Sequence, residues 1–413
     1  MSGVELCVNA ERLRSDINEL AQIGRHADQG LFRMAFSKGD LQGREWFRQR
    51  VADAGLEFYQ DGAANLCARL EWNDRIPSVM AGSHLDTVPG AGHLDGALGV
   101  VCALEALRVL RESGIELKRP LEAVSFSDEE GRFGGLFGSQ SIAGQVNAEY
   151  LLNANDLDGV NLVTAMAAVG FDAREAIRSQ RQPGSIHAYV ELHIEQGPVL
   201  DRRGLGLGIV DSITGLIKWE VSLYGKVNHA GTTPMNMRAD AFQGLVEFAA
   251  QIDPVLAAKG GAHSTATIGR VELQPGAANV IPGKAVFSLD LRDSDLEILE
   301  NLERVFRDRL SQIAQIRGLE LELSVLSQIA PVRCASEVLA AIEQSAAAAA
   351  LDSMHLRSGA AHDAQIIARV APIGMIFVPS IGGRSHSVSE STQWEHIEAG
   401  ANILLNTLRR LAT

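Results

Sequence analysis

The chain reads as an α/β fold, a mixed-sheet domain that carries an inserted α+β domain. Three features predict this. Short apolar runs alternate with segments of helical period through the first half of the chain. From about Ser212 the texture changes to the apolar and polar alternation of half-exposed antiparallel strands. After about Gln328 the first texture returns, so the expected domains are residues 1–211, 212–328 and 329–413, the first and last forming one body. A chain of 413 residues is also too long for one ordinary core.

The elements follow in order. Glu11 to Ala27 and Leu41 to Ala54 space apolar residues at helical period with charges between them. The run Ser78 to Gly82 is a buried strand ending in His84, followed by a polar loop and a helix over Leu98 to Leu110. A second strand, Leu121 to Phe126, stops at Ser127-Asp128-Glu129-Glu130, ahead of glycine-rich sequence from Gly131 to Gly138. A third, His187 to Ile194, contains His193 and breaks at Gln196-Gly197-Pro198. Inside the insert, strands Leu216 to Tyr224 and Ala285 to Leu291 accompany helices Ala239 to Ile252 and Asp295 to Ile316. Beyond it come an alanine-rich helix at Ser336 to Ala350, a strand at Ile373 to Val378 and an amphipathic helix from Ala399 to Leu411.

Composition narrows the function. The chain is 46% apolar and 21% charged, as in a globular enzyme, and its net charge of -14 argues against nucleic acid as a partner. An anionic ligand would need a local basic pocket. No apolar run reaches the roughly 18 residues of a membrane span, so no membrane partner is expected. Met1 to Glu11 lacks the basic and then apolar pattern of a leader. Cys7, Cys67, Cys102 and Cys334 are scattered without paired spacing, which suggests reduced thiols and the cytoplasm.

Chemistry-bearing residues collect where the buried runs end, which is where open α/β sheets bind ligands. His84 and Asp86 are two apart and share a strand face, so the carboxylate can orient the imidazole, although a lone His-X-Asp pair is more often structural. Asp95, in His93-Leu94-Asp95-Gly96, is either a bridging carboxylate or a turn residue. Glu129 and Glu130 stand side by side after a buried strand and repel unless a cation or proton holds them. His193 and His386 complete a set of imidazoles and carboxylates suited to divalent ions, two of which can activate a shared water.

Longer strings carry a resemblance. Glu191-Leu192-His193-Ile194-Glu195-Gln196-Gly197-Pro198, His229-Ala230-Gly231-Thr232-Thr233-Pro234, Ser358-Gly359-Ala360-Ala361-His362-Asp363 and Ser385-His386-Ser387 occur in the order found in one group of enzymes. Over nearly its whole length the chain resembles the M20 family of metallohydrolases, in its branch of N-carbamoyl-L-amino-acid hydrolases, β-ureidopropionases and allantoate amidohydrolases. The resemblance implies a di-metal hydrolase domain with the insert as a lid and dimerisation domain. His84, Asp95, Glu130, His193 and His386 become ligands of two divalent ions (zinc, manganese, cobalt or nickel), with Asp95 bridging. Asp86 becomes the carboxylate that orients His84, and Glu129 the general base. His229 becomes the oxyanion donor, commonly supplied across a homodimer.

Asn279 and Arg292 match residues that hold the substrate carboxylate, and Gln196 and Gly359 match further pocket residues. Arginine suits that role because its planar fork pairs bidentately with carboxylates, although an ion pair with Asp290 or Asp293 is the ordinary alternative. Glu130-Gly131-Arg132-Phe133-Gly134-Gly135 is shorter than in many relatives, which changes a pocket wall but not the ligands. The implied reaction is hydrolysis of the carbamoyl C–N bond of a small anionic N-carbamoyl-L-amino acid. Apolar Leu216-Ile217, where allantoate enzymes tend to carry Gln-Arg, favours that substrate over allantoate, as does Asp128 more weakly. An M20 dipeptidase or deacylase shares the metals but lacks the Glu-Gln-Gly-Pro string, and a silent scaffold would lack a ligand or the base.

Overall fold

The computed structural model describes residues 5–413, so the opening of the Met1–Glu11 segment lies outside the described residues. These form two compact units. The first runs to Asp211 and resumes over Cys334–Leu356 and His362–Thr413; the second is Ser212–Arg333 with Arg357–Ala361.

The first unit is organised by four parallel strands. Ile373–Val378 pairs with Ile186–Ile194, that strand with Ser78–His84, and Ser78–His84 with Leu121–Phe126. Their nearly continuous burial explains why they read as apolar runs rather than alternating ones. Antiparallel strands flank them: Leu207–Ile213 beside Ile373–Val378, and Leu66–Leu70 then Glu57–Gln60 beyond Leu121–Phe126. The sheet is therefore mixed. Helices Ala10–Leu20, Ala97–Ser113, Ser336–Ala348 and Trp394–Ala412 share one apolar core with the strands, and Ala97–Ser113 stops where Gly114 takes a left-handed cap at φ 64°.

The second unit is an antiparallel sheet in the order Thr265–Thr267, Lys284–Asp293, Gly215–Tyr224, Glu320–Ile329, with Val271–Gln274 also pairing Lys284–Asp293. Side chains alternate. Ile217, Trp219, Val221 and Leu223 enter a core with Phe248, Phe306 and Leu310 of the helices, while Lys218 is exposed and Glu220 partly so. Helix Leu296–Arg317 begins on the Asp295 carboxylate, which accepts from the backbone of Glu297 and Ile298.

Several expectations are corrected. The second unit ends at Arg333 rather than Gln328, because Val332–Arg333 pairs back onto Ser212 and Ile213, and it also takes in residues 357–361. The first helix ends at Leu20, not Ala27, as Arg25–His26 turns to pair with Gly30–Leu31. The helix expected over Ala239 to Ile252 is two, Ala241–Ala249 and Ile252–Lys259. Pro254 has no N–H to continue the first helix and sits in the opening turn of the second. Glu57–Gln60, Leu66–Leu70, Leu207–Ile213, Glu320–Ile329 and Ser353–Ser358 are strands that periodicity did not mark.

One close approach sets the spacing of the central strands. Gly82 has φ 151°, and a Cβ placed there would lie 1.9 Å from the Val124 carbonyl oxygen of the neighbouring strand. Gly82→Ala should therefore destabilise the protein by about 2–3 kcal/mol, read as a lower denaturant midpoint at constant slope. An unchanged midpoint would show that the strands separate there without cost.

Candidate metal centre

The carboxyl ends of the four parallel strands converge. His84 ends its strand opposite Phe126, His193 lies one residue from the end of its own, and the segments after Phe126 and Val378 carry Glu129, Glu130 and His386. Asp95 arrives from the loop before helix Ala97–Ser113. Gly96 must follow it, because a Cβ there would come within 2.4 Å of the His84 ring.

Two donor groups result, both containing Asp95. His84, Asp95 and His193 bring ligand atoms within 4.8 Å of one another, as do Asp95, Glu130 and His386. Asp95 Oδ1 lies 3.6 Å from His84 Nε2 and 3.2 Å from His193 Nε2, while its Oδ2 lies 3.4 Å from His386 Nε2. Glu130 Oε2 is 3.4 Å from His386 Nε2, and Glu129 Oε2 is 3.5 Å from His84 Nε2. His193 Nδ1 lies 2.8 Å from the Ile194 carbonyl, and the Gly96 N–H points at Nε2. Nε2 faces Asp95, and with the proton kept on Nδ1 it is the nitrogen that would bind a cation in place of the proton Asp95 otherwise favours there.

Asp86 acts differently from the sequence expectation. His84 Nδ1 lies 2.9 Å from the backbone carbonyl of Asp86, so the peptide rather than the carboxylate orients the ring. The carboxylate instead accepts from the backbone N–H of Glu129 at 3.3 Å and of Glu130 at 3.1 Å, fixing the turn that presents both glutamates. Gln196, expected in the substrate pocket, donates from Nε2 to Asp95 Oδ2 at 2.7 Å.

Glu390 escaped the sequence reading. It is buried, accepts from the backbone of Leu94 and Asp95 at 2.8 and 3.1 Å, and takes the Ser385 hydroxyl at 3.2 Å. The single Ser385 hydroxyl proton has its shorter contact at Asp95 Oδ2, 2.5 Å away, so Asp95 and Glu390 share or compete for it. A carboxylate four residues beyond His386 was the available signal. Glu191 is likewise buried in its strand and accepts from Ser83, Tyr189 and the Ala364 backbone.

The electrostatics are those of a cation site. Burial, joined by Asp363, Glu130, Asp86 and Asp95, pushes the Glu129 carboxyl well above its usual range, and burial with Asp95 does the same to Glu130. Burial, then Asp40, raises Asp86 to about 7. Burial lowers His84 to about 4, whereas Asp95 raises His193 to about 9 against the burial that opposes it. Asp95 is held low against burial by His193 and His84. Glu130 Oε1 is buried without a hydrogen-bond partner. Clustered carboxylates, an orphaned oxygen and imidazole nitrogens gathered around Asp95 fit divalent cations, which would supply the missing positive charge.

The other expected residues lie in the second unit. Asn228–His229 pairs with Val280–Ile281, and the Ala230 N–H donates to the Asn279 carbonyl at 2.9 Å. His229 is exposed; its Nδ1 accepts from the Gly231 N–H at 3.0 Å, which leaves the ring proton on Nε2. Arg292 is bound side-on by Asp290, and its Nη1 donates to the Gly359 carbonyl at 2.7 Å. The structure thus brings His229 beside Asn279, and Arg292 beside Gly359.

The chain is similar to known proteins. The profile of peptidase family M20/M25/M40 matches residues 80–410. The chain is 38% identical to an N-carbamoyl-L-amino acid amidohydrolase of Geobacillus stearothermophilus, over 98% of this chain and 99% of the relative. It is 35% identical to the allantoate amidohydrolase of Escherichia coli, over 95% and 96%. Among solved structures, an amidase of the hydantoinase/carbamoylase family from Burkholderia multivorans superposes with a TM-score of 0.87 at 33% identity, covering 98% of each chain. With most of its length matched by the family profile and full-length relatives above 30% identity, the chain belongs to peptidase family M20/M25/M40.

Proposed function

We propose that this chain is a metal-dependent amidohydrolase that cleaves the carbamoyl C–N bond of N-carbamoyl-L-amino acids, releasing the amino acid, ammonia and carbon dioxide. The observation that carries this reading is the pair of donor groups sharing Asp95, with Glu129 beside them. One divalent ion would be held by His84, Asp95 and His193 and a second by Asp95, Glu130 and His386. Zinc, manganese, cobalt and nickel all accept such donors. Bound there, the metals would acidify a water and polarise the carbonyl.

The chain's own groups do the rest. Glu129, whose ionised form bound cations would favour, takes a proton from the attacking water; the burial and neighbouring carboxylates that favour its protonated form let it hold that proton until it passes to the leaving nitrogen. His229, with its proton on Nε2, donates to the oxyanion, and Arg292 with Asn279 holds the substrate carboxylate. Gln196 holds Asp95, and Gly359 fixes Arg292 through its carbonyl. The insert is assigned as the dimerisation domain of a homodimer. The cysteines are all free, in keeping with a cytoplasmic protein.

Hydrolysis of allantoate is the second reading, supported by the likeness to the Escherichia coli enzyme. Leu216 and Ile217 weigh against it, because both are buried apolar side chains with no polar group for a second ureido arm.

Glu129→Gln should retain bound metal, measured by elemental analysis, while turnover falls by about 10²–10⁴-fold; wild-type rates would remove Glu129 from its role. After chelation, ammonia release should stop and return with added divalent ions. It should be fastest with N-carbamoyl-L-amino acids in a panel containing the D isomers, N-carbamoyl-β-alanine and allantoate. Cleavage of dipeptides alone would overturn the proposed substrate class.

A further inference from the structure

The exposed face of the second unit's sheet carries a charge arrangement built around Arg292. Arg292 Nε donates to Asp290 Oδ1 at 2.7 Å and Nη2 to Asp290 Oδ2 at 3.1 Å, while Nη1 donates to the Gly359 carbonyl at 2.7 Å. A guanidinium has five N–H groups, so three are used and two remain. Asp290 occupies the side edge of the fork, which leaves one donor on Nη1 and one on Nη2 for a second carboxylate.

Lys218 is the second cation. It lies directly opposite Asp290 in the pairing of Gly215–Tyr224 with Lys284–Asp293, and its Nζ is 4.0 Å from Asp290 Oδ2. On the other side of Lys284–Asp293, Thr265 stands opposite Arg292 and Thr267 opposite Asp290. These side chains, with Ser288, line a cavity of about 390 Å³. The charged side chains that line this cavity are two cations and one carboxylate, one net positive charge; without Lys218, Asp290 would cancel Arg292.

We propose that Asp290 and Lys218 are positioning residues for the substrate carboxylate. Asp290 locks the plane of the Arg292 guanidinium while Nη1 and Nη2 each keep a donor, and Lys218 offsets the charge of Asp290 so that an incoming carboxylate meets a net cation. This rests on the reading of Arg292 as the carboxylate's partner. It adds that selectivity for an acid over its neutral amide is set by three residues, two of which need not touch the substrate.

The test compares kcat and KM for an N-carbamoyl-L-amino acid and for its carboxamide, in the wild type, Arg292→Met, Asp290→Ala, Lys218→Met and Lys218→Arg. Asp290→Ala should raise KM for the acid about tenfold or more, with the effect confined to KM and absent for the carboxamide. Lys218→Met should act in the same direction, more weakly and with less dependence on salt, and Lys218→Arg should restore the wild-type value. A lower KM in Asp290→Ala would make Asp290 a competitor of the substrate. Equal losses on acid and carboxamide would make it scaffold. Either overturns the proposal while a raised KM in Arg292→Met leaves the functional reading standing; an unmoved KM in Arg292→Met sinks both.

Discussion

Mutual repulsion among buried carboxylates is the constraint on which the rest of the first unit depends. Asp86, Asp95, Glu129 and Glu130 are drawn together by strand ends whose positions are dictated by the parallel sheet. Two like charges about 4 Å apart repel by roughly 4 kcal/mol at an effective dielectric constant near 20. The fold answers in two ways. Backbone N–H groups of Glu129 and Glu130 point at Asp86, and imidazoles face Asp95 and Glu130. What remains uncompensated is the orphaned Glu130 oxygen and a pair of glutamates that favour protonation, the condition a divalent cation relieves.

Asp95 is the pivot because it belongs to both donor groups. It is held by side chains far away in the chain: Gln196, Ser385 and, through the backbone, Glu390. A carboxylate that must present one oxygen to each side cannot be left to choose its own rotamer. The hydrogen bonds from Gln196 and Ser385 to Oδ2 limit that freedom while Oδ1 faces His84 and His193.

The fold was legible in the sequence where burial was two-sided. Leu121–Phe126 and Ile373–Val378 have the bounds that their apolar runs suggest, because a strand covered on both faces leaves no alternation to misread. Edge and half-exposed strands such as Glu57–Gln60 and Glu320–Ile329 were not legible, since their pairing is decided by distant neighbours. At the centre, residue types and strand-end positions drew attention to His84, Asp86, Asp95, Glu129, Glu130, His193 and His386, the family resemblance divided them into ligands, base and orienting carboxylate, and the structure brings His84, Asp95, Glu130, His193 and His386 into two donor groups. The supporting contacts were not legible: Asp86 works through its peptide on one side and its carboxylate on the other, and Glu390 meets Asp95 only by a contact spanning 295 residues. Arg292 offered both a substrate partner and an ion pair with Asp290 as readings, and in the structure the ion pair is present while two donors stay free.

The grip of residues 380–390 on Asp95 has a consequence for synthesis. By the time Glu130 has left the ribosome, four of the clustered carboxylates exist, yet Ser385, His386 and Glu390, which steady or neutralise them, are still some 250 residues away. An N-terminal fragment therefore holds only part of the remedy, and the group of Asp95, Glu130 and His386 is assembled only after the second unit has been made and the last parallel strand has docked. Completion of that second donor group is in this way tied to completion of the polypeptide, so that a prematurely ended chain holds at most one of the two.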